Sequence, residues 1–187
     1  KELELAAEVD ASVSDFMTTA RLYCSGLNFT FNPHRMILNK VTDCYLTRED
    51  GERIEIQDDQ LYRVVTDLYT GQMLGSVMEM SYGLLKIEPK DKDGNPIENL
   101  EDQAIMEGDK ELKAWDAIAR YMKSFDDTDG NGISNVPEYY ETTHGRKVVD
   151  ESRNVIDLVK NPNKFSVMIV GIVLVLILII ILLVVLI

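Results

Sequence analysis

The chain has 187 residues, of which 45% are hydrophobic, and it carries 19 basic against 32 acidic side chains for a formal net charge of -13. This length allows one ordinary domain with additions. A nucleic-acid-binding protein needs a basic field that displaces phosphate counterions, so the acidic balance excludes that class of partner. It also disfavours adhesion of the soluble part to anionic lipid.

The first half of the chain predicts a helix followed by a small sheet. The opening KELELAAEV has a helical pattern. Leu22–Phe31 and Val41–Thr47 alternate and are rich in β-formers, which predicts an antiparallel pair. EDGERIEI predicts a hairpin turn at Asp50 and Gly51 followed by a short strand, and LYRVVTDLY from Leu61 predicts a further strand.

The next segment predicts a turn and then an amphipathic helix. PKDKDGNPI has turn composition. In DKELKAWDAIARYMKSF we expect Asp109 to be the N-cap of a helix that packs one apolar face. That face consists of residues spaced at three and four, namely Leu112, Trp115, Ile118, Ala119 and Met122. The fold class predicted is α+β, with a mixed or antiparallel sheet and amphipathic helices.

The carboxyl-terminal segment predicts a membrane anchor. From Phe165 to Ile187 there is no charged residue in 23 positions. At about 1.5 Å per residue such a helix covers a hydrocarbon core of about 30 Å. A signal peptide would lie at the other end of the chain, so we expect one transmembrane helix over residues 165–187. The polar residues 126–164 are expected to form a stalk between this helix and a domain over residues 1–125.

The charges around the anchor and the two chain ends predict a fragment. Lys160 and Lys164 are the only basic residues flanking the apolar run, and nothing basic follows Ile187. Because a stop-transfer segment normally ends in Lys or Arg on the cytoplasmic side, we expect the chain to be truncated there. The start without Met, inside a helical pattern, suggests the same of Lys1.

Catalytic chemistry is not expected from these residues. His34 and His144 have no second His or Cys at metal-ligand spacing, so we interpret His34 as a loop residue and His144 as a solvated one. Cys24 and Cys44 fall on different predicted strands. Two free, buried thiols are the preferred interpretation, and a disulfide in an oxidising compartment is the alternative.

Four segments resemble a known family in content and order. They are SGLNFTFNP (Ser25–Pro33), VTDCYL, LYRVVTDLYTGQML (Leu61–Leu74) and GDKELKAWDAIARYM. Over residues 1–125 the chain resembles part of the carboxyl-terminal domain of the 5'-nucleotidase family. The resemblance implies that an amino-terminal domain outside this sequence supplies a divalent metal pair and the chemistry, while this part positions a nucleotide or other phosphoester substrate. The chain alone is then expected to be inactive, and export of the family implies that the soluble part lies outside the cell membrane.

The resemblance also suggests where a base would bind. Relatives that act on adenosine nucleotides usually carry a GGDGF-like loop after the YRVV-type strand, whereas this chain has YTGQML. Stacking on an aromatic ring contributes about 1 to 3 kcal/mol per base. The alternative is that the tyrosines cover a strand surface. The candidate substrate-binding residues are Tyr23, Ser25, Gly26, Tyr69, Gly71 and Tyr82.

DTDGNGISNVPE predicts a calcium loop, with a solvated turn as the alternative. A 12-residue loop supplies oxygen ligands from positions 1, 3, 5, 7, 9 and 12, with Gly at position 6, here Gly132. We expect a structural ion of modest affinity, as in thrombospondin type 3 loops, which this stretch resembles. A second hypothesis for the whole chain follows, a calcium-stabilised, membrane-tethered surface module without activity. The candidate ligands are Asp127, Asp129, Asn131, the carbonyl of Ile133, Asn135 and Glu138.

Overall fold

A computed structural model describes residues 2–12, 23–36, 38–73 and 87–186. The chain forms two compact units, one of residues 1–58 with 146–187 and one of residues 59–145. The regular elements, in chain order, are α1 (Glu2–Ser12), β1 (Leu27–Phe31), β2 (Val41–Thr47), β3 (Arg53–Glu55), a 3-10 helix (Leu100–Gln103), β4 (Met106–Glu107), β5 (Lys110–Glu111), α2 (Ala114–Lys123), a second 3-10 helix (Glu138–Glu141), β6 (Lys147–Val149), α3 (Val155–Val159) and α4 (Lys164–Leu186). Residues 68–73 are also helical.

The first unit is built on a mixed four-stranded sheet with strand order β3-β2-β1-β6. β1 pairs antiparallel with β2, β2 pairs antiparallel with β3, and β6 joins β1 in parallel. The α+β fold with a mixed sheet is therefore confirmed, together with the predicted antiparallel pair and the strand that follows Asp50 and Gly51. The first strand is shorter than predicted, since it begins at Leu27.

Helix α1 covers the sheet through its smallest side chains. Ala7 and Ala11 lie one turn apart and pack with Phe29, of which only 3% is exposed. Phe31, Val41 and Cys44 surround this contact. Alanine at both positions lets the helix approach the strands closely, and burying a ring such as Phe29 contributes about 1.5 to 3 kcal/mol.

Two acidic residues of α1 hold the helix to the sheet. The Glu8 carboxylate accepts backbone N–H groups from Lys40 at 2.9 Å and Val41 at 2.8 Å, where β2 begins. Burial raises the pKa of Glu8, and these two hydrogen bonds oppose the rise. Asp10, whose side chain is fully buried, forms an ion pair with Lys147 of β6. The helix is thereby tied to the neighbouring sheet at two places.

The second unit corrects two predictions. Residues 61–67 have no regular structure, so the strand predicted from Leu61 is wrong. Val64 and Val65 are exposed, and no strand among the described residues pairs with them. The helix predicted in DKELKAWDAIARYMKSF is confirmed as α2, but Lys113 occupies its N-cap position. Asp109 lies instead in the turn of the β4–β5 hairpin, beside Gly108 with its positive φ of 64°. A Gly-Asp pair suits a tight hairpin turn as well as a helix start.

The apolar face of α2 is not packed against any described residue that would bury it. Trp115 is 71% exposed and Ile118 is 60% exposed. In the part of the chain that the structure describes, this helix therefore presents its apolar side chains to solvent, contrary to the expectation of a packed face.

The segment before α4 differs from the expected stalk. Lys147–Val149 form a strand of the sheet and Val155–Val159 a short helix, both within the first unit. A stalk over residues 126–164 is thus not shown. Helix α4 is long and apolar enough, by length and composition, to cross a membrane.

Candidate functional site

Three candidate substrate residues lie at the entrance to β1. The ring of Tyr23 is 94% exposed, and Ser25 is exposed as well. Gly26 has a φ of +80°, a conformation that favours glycine, and its carbonyl accepts the Thr47 N–H at 2.8 Å. Gly26 therefore turns the chain into the sheet.

Two more candidates lie on the short helix of residues 68–73. Tyr69 is 65% exposed, while Gly71 is buried. A Cβ at Gly71 would lie 3.2 Å from Cδ1 of Leu100, so a side chain there requires Leu100 to shift. Asp67 accepts the Thr70 N–H at 2.9 Å and its hydroxyl at 2.8 Å, which caps the helix and lowers the pKa of that carboxyl.

The candidate substrate residues fall into separate groups. Tyr23, Ser25 and Gly26 are neighbours in the first unit, and Tyr69 and Gly71 are neighbours in the second. Tyr82 lies outside the described residues. Tyr23 and Tyr69 are both exposed, and neither belongs to a strand.

No known family model, curated protein or solved structure matches this chain significantly. The resemblance to the 5'-nucleotidase family therefore depends on the residues quoted above, and every function derived from it is a proposal.

The predicted calcium loop is organised around one carboxylate. Asp127 accepts the N–H groups of Gly130 at 2.7 Å and Asn131 at 3.2 Å through Oδ1, and that of Gly132 at 2.8 Å through Oδ2. These hydrogen bonds, that from Gly132 first, lower the pKa of Asp127. Gly130 and Gly132 have positive φ values of 73° and 84°, which allows the chain to wrap around the carboxylate.

The other predicted ligands contribute to the same loop with one exception. Asp129 accepts the Asn131 side-chain amide at 2.9 Å, and Asn131 Oδ1 accepts the Ile133 N–H at 2.8 Å. Asn135 Oδ1 accepts the Thr128 N–H at 2.8 Å. Glu138 begins the second 3-10 helix. Among the described residues no three His, Cys, Asp or Glu side chains are grouped closely enough to hold a metal ion.

An aromatic cluster beside this loop was not predicted from the sequence. His144, interpreted above as a solvated residue, is half-buried and stacks on Tyr139 with ring centroids 4.0 Å apart. The hydroxyls of Tyr121 and Tyr140 are hydrogen-bonded, and Phe125 contacts both rings. The sequence does carry aromatic residues on both sides of DTDGNGISN. The loop reverses the direction of the chain and so brings these residues together.

Both cysteines are free thiols, in agreement with the interpretation preferred from the sequence, and both are half-buried. Burial raises the pKa of the Cys44 thiol to about 12 and raises that of Cys24 as well. Neither thiol is therefore a ready nucleophile at neutral pH.

Proposed function

We propose that this chain is the carboxyl-terminal, substrate-positioning part of a membrane-anchored 5'-nucleotidase-like phosphoester hydrolase. Its role is to hold the nucleoside, while the divalent metal pair and the attacking water are supplied by a domain outside this sequence. The chain alone is inactive in this proposal, because catalysis requires those metals.

The observation that carries the proposal is the exposure of two tyrosine rings, Tyr23 just before the first resembling segment and Tyr69 within the third. Each ring lies two or three residues from a glycine: Gly26, with its positive φ, follows Tyr23, and the buried Gly71 follows Tyr69. A base stacks on any open aromatic face, which makes two exposed rings at these places suitable for a nucleoside.

Nucleoside binding by the full chain in detergent tests this proposal. We expect adenosine to bind in a calorimetric titration, and replacement of the ring that stacks on its base, Tyr23 or Tyr69, by Ala to weaken binding by about 5- to 150-fold, as loss of one stacked ring implies. Tyr23→Phe and Tyr69→Phe should retain binding. Tyr139→Ala is the matched control, since that ring is 61% exposed but lies outside residues 1–125, over which the resemblance extends. Absence of binding, or an equal loss with Tyr139→Ala, would sink the proposal.

We further propose that DTDGNGISNVPE binds one calcium ion that stabilises this loop. Asp127 already orients three backbone N–H groups, and an ion would recruit the oxygens of Asp129, Asn131 and Asn135. Extracellular calcium sites have dissociation constants of about 0.1 to 1 mM, so millimolar calcium is needed. Calcium titration should give heat that Asp129→Ala abolishes and Asp93→Ala, in the other Asp-rich turn, leaves unchanged. Equal heats from the parent chain and both variants would mean that DTDGNGISNVPE is only a solvated turn.

A second function has one observation in its favour. The apolar face of α2, with Trp115, Ile118 and Met122 exposed, is a surface suited to binding another protein. It supports the alternative of a calcium-stabilised, membrane-tethered surface module without enzymatic activity. A failed nucleoside titration together with intact calcium binding would favour this alternative.

The placement of the soluble part outside the cell is also a proposal. It follows from the export of the resembling enzymes, whereas Lys160 and Lys164 alone would place the soluble part in the cytoplasm. Protease added to intact cells should digest the soluble part. Protection from that protease would reverse the proposed orientation.

A further inference from the structure

The segment before α4 is held by buried polar side chains of the β1–β2 connection. Asn32, which is 1% exposed, donates its side-chain amide to the Ser152 carbonyl at 2.7 Å. Arg35, which is 5% exposed, donates to the carbonyls of Asp157 at 2.7 Å and Lys160 at 2.8 Å. A cation on the last carbonyls of a helix caps its carboxyl end, so Arg35 fixes α3 in place.

The first turn of α4 is fastened to the same connection. Asn39 Oδ1 accepts the Asn163 N–H at 3.0 Å, and the Asn163 side-chain amide donates to the Leu38 carbonyl. Asn163 Oδ1 in turn accepts the Ser166 N–H at 3.0 Å, which caps α4. Within the first unit, the start of the apolar helix is therefore tied to the sheet by side-chain hydrogen bonds.

Helix α3 turns its apolar side chains away from this attachment. Val155, Ile156 and Val159 are 72%, 71% and 64% exposed, and their spacing puts them on one helical face. Asp157, whose side chain is 32% exposed, accepts the Ser152 hydroxyl at 2.7 Å and the Lys160 ammonium at 2.8 Å. The ammonium and the hydroxyl lower the pKa of Asp157.

Basic residues flank this apolar face although the whole chain is acidic. Residues 152–164 contain Arg153, Lys160 and Lys164 but only one acidic residue, Asp157. Arg153 is exposed, and so is Lys164, whose ammonium lies 4.9 Å from the centre of the Phe165 ring. An apolar face with basic residues at its edges, directly before a helix that can span a membrane, is typical of segments that lie in the bilayer interface.

We propose that residues 153–164 seat the first unit on the phospholipid surface. Val155, Ile156 and Val159 enter the boundary between headgroups and acyl chains, and Arg153 and Lys164 contact lipid phosphates. Arg35 is the positioning residue that transmits this contact to the sheet, so the first unit takes one orientation on the bilayer. This proposal depends on the membrane anchoring by α4 that was proposed above.

Fluorescence quenching in nanodiscs tests the proposal. The lone tryptophan is removed as Trp115→Phe, and a new one is placed by Ile156→Trp or, as the control, by Glu49→Trp. Glu49 is exposed and lies past the far end of β2, whose seven residues extend about 20 Å from the β1–β2 connection. Nanodiscs of phosphatidylcholine with phosphatidylglycerol are prepared with and without brominated acyl chains, which quench tryptophan only at close range.

We expect the residue-156 tryptophan to be quenched at least about threefold more than the residue-49 tryptophan, since interfacial segments lie about 5–10 Å deep. Arg153→Gln with Lys164→Gln should lower that quenching. Val155→Trp, on the same face, gives the same test if Ile156→Trp does not fold. Equal quenching at both positions, in chains that co-purify with nanodiscs, would overturn the proposed contact of residues 153–164 with lipid but not the anchoring by α4. Chains that do not co-purify with nanodiscs would refute the anchoring by α4, and with it the lipid contact of residues 153–164.

Discussion

The two units of this chain are stabilised differently. The first unit buries Ala7, Ala11 and Phe29 between helix and sheet, and it also buries Arg35 with backbone carbonyls as partners. In the described residues of the second unit, Gly71 is buried, whereas large apolar side chains are exposed. Apolar burial is the main favourable term in folding, so the first unit has the internal support of a domain. The second relies on local loops and aromatic contacts.

This difference is relevant to function. Regions with few buried apolar contacts open more easily and are the usual location of binding segments. The candidate calcium loop, Tyr69 and the exposed face of α2 all belong to the second unit. The first unit contains the attachment to the apolar helix α4. We infer that the first unit acts as the support and the second as the more adaptable part.

Phe29→Ala should have the largest effect of any single change. The ring is the centre of the core between α1 and the sheet, and truncating a buried Phe costs about 3–5 kcal/mol. Hydrogen exchange of the full chain in detergent should show faster exchange throughout β1 and β2 with little change in α2. The control is Phe125→Ala in the half-buried aromatic cluster of the second unit. If Phe29→Ala accelerated both units equally, the division into two independently stabilised parts would be wrong.

Arg35→Met should have the next largest effect, confined to residues 152–166. Removing the guanidinium leaves the carbonyls of Asp157 and Lys160 without their donor, at a cost of about 2–3 kcal/mol for a hydrogen-bonded charge. Amide exchange in α3 should rise while β2 and β3 keep their protection. Arg153→Met, at an exposed position on the same segment, serves as the control. Unchanged exchange in α3 would show that Arg35 does not hold this segment.

Glu8→Gln should change the pH dependence of the first unit. Because burial raises the pKa of Glu8 in the folded state, its contribution to stability is fully present below the unfolded pKa of about 4.3 and is lost as pH rises through the folded pKa. The amide of Gln does not titrate, so this loss above pH 4.3 should disappear. The substitution should also lower the free energy of unfolding by about 1 kcal/mol, because one hydrogen bond is weakened. Unfolding as a function of pH measures both, and identical profiles would exclude Glu8 as the titrating group.

Asp127→Asn should have the smallest effect, limited to its own loop. The lowered pKa of Asp127 means that its contribution is present above the unfolded pKa of about 3.9 and is lost as pH falls through the lower folded value. In the parent chain the amides of Gly130 and Gly132 should lose protection as the pH falls below about 4. In Asp127→Asn they should be less protected at neutral pH. Equal protection in both proteins at neutral pH would mean that the carboxylate does not organise the loop.

Local sequence signals predicted those parts of the fold that depend on neighbours in the chain. The alternation in Val41–Thr47 and the Asp50–Gly51 turn specify β2 and β3, which pair across a short connection. The similar β-branched composition after Leu61 led to the wrong prediction of a strand. A strand needs a partner, and Val64 and Val65 have none among the described residues.

Distant pairings gave no comparable signal. Strand β6 is three residues long and joins β1 in parallel, from more than 100 positions along the chain. Arg35 binds carbonyls 122 and 125 residues away, and a backbone carbonyl carries no identity in the sequence. The calcium loop shows the intermediate case. Its spacing predicted the turn around Asp127, but not that Glu138 would begin a separate 3-10 helix.

Photoaffinity labelling of the full chain in nanodiscs with 8-azidoadenosine is the most direct test of the proposed nucleoside-positioning function. We predict labelled peptides that contain Tyr23 or Tyr69, protected by excess adenosine, with no labelling of the peptide that contains Tyr139. Labelling that adenosine does not compete, or that falls only on the aromatic cluster around Tyr139, would contradict the assignment of this chain as the part that holds a nucleoside.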